Sequence, residues 1–99
     1  MLRIERSANG QVVFTLSGRM QTEDIEQLRQ LLVFETPGQQ VILNLRDVML
    51  VNQDVVIFLC HCEGNGIQIE NCPLYIRNWI DREKGRNTRR RRLKPHADA

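Results

Sequence analysis

At 99 residues the chain has room for one core and little more, because much smaller domains cannot bury enough apolar surface. No stretch reaches the roughly 18 to 20 apolar residues of a membrane span, and Met1-Leu2-Arg3-Ile4-Glu5-Arg6 has no apolar run after its charges, so no secretory leader, no membrane partner and a cytoplasmic location are expected. The formal net charge of +2 hides a division: residues 1–81 carry six Arg against ten acidic residues, net −4, whereas residues 82–99 carry eight basic residues against Glu83 and Asp98, net +6. Such asymmetry bears on solubility and on interaction tails rather than on fold, and it divides the chain into an expected domain at 1–84 and a basic, disordered tail at 85–99.

Leu2, Ile4 and Arg6 alternate with Arg3 and Glu5, and Val12, Phe14 and Leu16 alternate with Val13, Thr15 and Ser17. Asn9-Gly10 lies between the two runs, which predicts a hairpin closed by a type I′ turn, since both central residues of that turn need positive φ. From Thr22 to about Phe34, Ile25, Leu28, Leu31 and Leu32 recur at helical spacing. Thr22 is placed to cap this helix, and Glu23, Asp24 and Glu26 suit the positive end of its dipole. Pro37-Gly38 ends the element.

Val41-Ile42-Leu43-Asn44-Leu45 reads as a short central strand covered on both faces. Asp54 to Glu63, with Val55 to Cys60 almost wholly apolar, is too apolar for a surface helix, and periodicity alone does not separate helix from strand there. Ile67-Gln68-Ile69-Glu70 alternates as a short strand after Asn65-Gly66. Cys72-Pro73 opens a last helix with Pro at its first position, and Leu74, Ile76, Trp79 and Ile80 form its inner stripe. The order is ββαβαβα, an α/β layer around a small mixed sheet with helices packed on it.

That order, together with Leu16-Ser17-Gly18-Arg19-Met20 before the first helix and Val41-Ile42-Leu43-Asn44-Leu45-Arg46-Asp47-Val48-Met49-Leu50-Val51 in the middle, resembles the STAS domain of anti-sigma factor antagonists, over residues 1 to about 81. The resemblance implies a bacterial, regulatory protein-binding module with no cofactor, whose partner is an anti-sigma factor or a kinase-like regulator. It also implies a functional segment at the start of the second helix, where the family has Asp-Ser-Ser-Gly and a kinase phosphorylates the second Ser. Aligned on Leu45, Val48 and Leu50, that segment falls on Asn52, Gln53, Asp54 and Val55. Asn52 replaces the family's Asp, Gln53 the first Ser, and Asp54 the phosphorylated residue, so no hydroxyl remains. The chain also departs from the family in a second helix about two turns shorter and in lacking a final strand.

Asp54 admits two readings. It can stand in part for a phosphoserine, with one charge against roughly 1.5 to 2, or it can simply favour the helix start by its charge.

Cys60-His61-Cys62 with Cys72 superficially matches a four-ligand zinc set. Residues 60 and 62 of a helix point nearly 200° apart, however, and do not chelate together. Reduced, buried thiols and no metal are expected. Adjacent Cys and His on a helix fail equally as a catalytic pair. No phosphate-binding loop or nucleophile elbow is present, and no catalytic residue is expected. Tyr75 and Trp79, four apart, are expected to pack along one side of the last helix rather than to stack on bases.

The run Arg89-Arg90-Arg91-Arg92 is open to two uses, binding of nucleic acid or another polyanion through released counterions and a solvated end. The expected function is thus a protein-interaction module acting through an exposed loop from Asp47 to Asp54 and the helix start that follows. The alternative is a nucleic-acid-associated protein that binds through its tail.

Overall fold

The computed structural model describes residues 2–35 and 38–85. Two strands, β1 (Leu2–Asn9) and β2 (Gln11–Met20), form an antiparallel hairpin whose register pairs Asn9 with Gln11 and so centres on Gly10. Only Gly10, at φ 82°, takes the left-handed conformation here. A type I′ turn needs it at both Asn9 and Gly10, so the expected turn is replaced by a tighter one with Asn9 still in the strand.

Helix α1 (Thr22–Val33), β3 (Val41–Val51), α2 (Gln53–Gly64), β4 (Gln68–Glu70) and α3 (residues 74–85) follow. The element order is therefore ββαβαβα, as the sequence reading predicts. The sheet runs β1-β2-β3-β4, with β1 antiparallel to β2 and with β2, β3 and β4 parallel. Helical crossovers between parallel neighbours explain this order.

Alternate residues of β2 (Val12, Phe14, Leu16) and β3 (Val41, Leu43, Leu45) join one buried cluster with Ile25 and Leu28 of α1, Val55, Val56 and Leu59 of α2, and Ile76 and Ile80 of α3. All three helices therefore cover the same face of the sheet. Each fully buried Leu, Val or Phe contributes about 1.5–3 kcal/mol relative to exposure. On the opposite face Thr15 and Asn44 are half-buried and Arg46 is exposed. Ile42 alone of the β3 residues there is buried, so β3 is helix-covered on one face rather than on both.

The strand expected to end at Leu45 continues to Val51, paired with β2 from Ser17↔Asp47 to Met20↔Val51. Asp47 to Val51 is thus strand, not loop. Between Asn44 and Asp47, and again between Val48 and Leu50, β3 holds one residue more than β2 does. Such bulges bend a strand and re-aim its side chains. Gly18, opposite Val48, sits at φ 93°, a conformation that a side chain there would resist.

In α3, Pro73 precedes the first helical residue instead of occupying it. Its carbonyl accepts the amides of Ile76 and Arg77. The buried side of the helix is Ile76, Ile80 and Glu83, with Trp79 half-buried against the core, while Leu74, expected inside, is 74% exposed. Arg77 forms a bidentate pair with Glu63 of α2, both contacts at 2.8 Å, and a further 3.0 Å contact with Asp81. Lys84 also meets Glu63. The Glu63 side chain is only 17% exposed. Hydrogen bonding from Arg77, outweighing the burial that works against it and reinforced by Lys84, holds its carboxyl down at about 2.

Candidate functional site

Because β2 and β3 are parallel neighbours, α1 and α2 both start at the same edge of the sheet, immediately after Met20 and Val51. Three side chains join the two starts. Asn52 is the N-cap of α2: its Oδ1 accepts the Val55 amide at 3.0 Å. Its Nδ2 donates to Thr22 Oγ1 at 2.9 Å, and Thr22 Oγ1 donates in turn to Asp54 Oδ2 at 2.8 Å. One hydroxyl, accepting and donating once each, thus links the cap of α2 to the carboxylate in its first turn.

Both readings of Asp54 are sharpened by this arrangement. The cap itself is Asn52, and Asp54 lies in the first turn, where its charge is favourable. One of its oxygens is already engaged by α1. Thr22, expected to cap α1, is instead its first residue; the cap is Gln21, whose amide donates to Asp24 Oδ2 at 2.9 Å. Gln53 is exposed beside this network with no partner role in it. The structure therefore brings Asn52 and Asp54 together through a residue that sequence reasoning had assigned elsewhere. Arg89, Arg90, Arg91 and Arg92 lie outside the described residues, as does nearly all of the expected tail.

Exposed apolar residues precede the network in the chain and stand at the start of α3. Met49, the extra residue at the second bulge of β3, is 70% exposed, and Leu50, Leu74 and Tyr75 are exposed as well. The Tyr75 hydroxyl donates to the Met49 carbonyl and ties the start of α3 to the bulged strand. Tyr75 is thus a surface residue, not the core residue that its spacing from Trp79 suggests. Sequence patterning could not mark this patch, since bulges break the alternation that signals which strand residues face out.

The cysteines point in different directions. Cys60 donates to the Ile80 carbonyl at 3.4 Å, toward α3. Cys62 lines a shallow groove between α1 and α2 with Arg29, Leu32, Phe58, His61 and Ile67. Burial pushes the Cys62 thiol up to about 12 and raises those of Cys60 and Cys72 as well. A nucleophilic or metal-binding thiol needs the opposite shift. Among the described residues, no group of three His, Cys, Asp or Glu side chains is placed to hold a metal ion, and no helix is long and apolar enough to cross a membrane.

No protein-family model matches the chain, and no curated protein matches it. Among solved structures it is similar to an uncharacterised protein of the DUF3478 family with a SpoIIAA-like fold from Shewanella loihica. The identity is 17% and the TM-score 0.48, over 70% of this chain and 62% of that one. The chain thus spans less than two thirds of that protein's length, and the likeness concerns chain path alone.

Proposed function

We propose that the chain is a non-enzymatic regulatory module that docks another protein through the edge of the sheet where α1 and α2 begin. The observation that carries this reading is the polar network closed on Asp54, preceded in the chain by exposed Met49 and Leu50, with exposed Tyr75 at the start of α3 bonded to Met49. Apolar groups rimmed by polar ones are the ordinary composition of a protein-binding surface. The STAS resemblance supplies the class of partner, an anti-sigma factor or a kinase-like regulator. The family's phosphorylated position is a carboxylate here, so docking is not switched by phosphate at residues 52–54. Thiols raised by burial support the non-enzymatic side of the reading.

The test is affinity capture from lysate with three baits: the parent chain, a Met49→Asp/Leu74→Asp variant, and a chain ending at Gly85. That end point keeps Glu83, which is buried, and Lys84, which pairs with Glu63. A protein captured by the parent and the shortened chain but lost from the double variant supports the reading. One held equally by the double variant contradicts it. The charge division of −4 and +6 favours a second reading, polyanion binding by Arg89 to Arg92. With four to six phosphates contacted, raising salt from about 50 to about 200 mM would weaken that binding by roughly two to three orders of magnitude. Failure of the parent to bind nucleic acid at low salt removes this second reading.

A further inference from the structure

Among the described residues β1 pairs only with β2, so its outer edge carries free backbone donors and acceptors along an eight-residue strand. Edge strands usually carry charge that keeps other strands away. Here that charge is Arg3 and Glu5, 76% and 61% exposed, on the face not covered by helices and 3.0 Å apart. Leu2 and Ile4, on the covered face, are only partly buried against the core.

We propose that this edge is a self-association surface: two copies of the chain pair β1 with β1, antiparallel about a two-fold axis through Ile4, and form one eight-stranded sheet. The pattern of charge selects the register. A two-fold axis perpendicular to the sheet keeps each face on its own side, so only registers that oppose residues of the same parity are allowed. Centring on Glu5 sets Glu5 against Glu5, and centring on Arg6 sets Arg6 against Arg6; like charges directly opposite are destabilising. Centring on Ile4 sets Arg3 against Glu5 of the second copy, Glu5 against Arg3, and Ile4 against Ile4. Leu2 then faces Arg6, whose guanidinium is held by a bidentate pair with Glu35 of the loop after α1. That leaves the Arg6 aliphatic stem to cover Leu2. Only this register sets opposite charges of the two copies against each other, which favours a closed dimer over open aggregation.

The experiment is sedimentation equilibrium of the full chain over a concentration series, with Arg3→Glu, Glu5→Arg and the double swap R3E/E5R. The parent is expected to dimerise reversibly. Each single variant sets like charges opposite one another twice per dimer and is expected to weaken association by at least about tenfold. The double swap restores opposite charges and is expected to return association to within a few-fold of the parent. An equimolar mixture of the two single variants is expected to associate as a heterodimer, with two acidic residues on one edge facing two basic ones on the other. A parent that stays monomeric overturns the proposal. So does a dimer indifferent to the single changes, or association that neither the double swap nor the mixture restores. None of these outcomes depends on the docking surface at the start of α2, which lies on other residues.

Discussion

At its N-terminus α2 is tied to α1 by single hydrogen bonds among Asn52, Thr22 and the one carboxylate of Asp54, on the surface. At its C-terminus it is tied to α3 by Glu63, Arg77 and Lys84, largely out of solvent. The two ends carry different loads. Charge-assisted bidentate bonds in a partly dry place fix one helix against another, and losing one partner strands the other. A surface network of small polar groups contributes less and leaves acceptor oxygen available to a visitor. The ion cluster is framework, and the Thr22 network is the part of α2 that is free to face a partner.

Disabling the framework end is expected to give the largest effect. Arg77→Ala leaves Glu63 with Lys84 alone and is expected to cost roughly 2 kcal/mol, less than a deeply buried pair because the cluster is partly solvated; urea denaturation reads it. The same cluster sets the acid limit. Glu63 ionises at about 2 in the fold against an ordinary 4.5, so its contribution is full above about pH 4.5 and is lost as pH falls toward 2. In Arg77→Ala the loss of stability across that window is expected to be shallower than in the parent.

Asn52→Ala, which removes the cap of α2, is expected to cost about 1 kcal/mol. Thr22→Val, which keeps the shape and removes the hydroxyl with both its hydrogen bonds, is expected to cost about 0.5 kcal/mol, the low end of the net range because both bonds are solvent-exposed. A Thr22→Val cost equal to that of Arg77→Ala would make the N-terminal end framework too and erase the contrast.

The element order was legible in the sequence because most segments keep a clean period, such as 2 in Val12 to Leu16 and 3.6 in Ile25 to Leu32, and the place between two strands identified the apolar α2 segment, which has none. It failed where a local device shifts the period. Two extra residues in β3 disguise Asp47 to Val51 as loop, and a proline that caps rather than starts α3 turns Leu74 outward. Buried Glu83 was missed because acidic residues are rarely placed inside unless paired. Of the candidate site, the position of Asn52 to Asp54 came from the family resemblance. Its tie to Thr22, thirty residues away for Asn52, has no local signal, because it arises only when two parallel strands bring two helix starts together. The Arg89 to Arg92 readings rest on charge alone.

The central claim is that the edge where α1 and α2 begin is the docking surface. Amide hydrogen exchange of the full chain, free and in complex with a captured partner, tests it most directly. Slowed exchange over residues 49–55 and at the start of α3 is the predicted result. Protection confined to residues 86–99, with the edge unchanged, would contradict it.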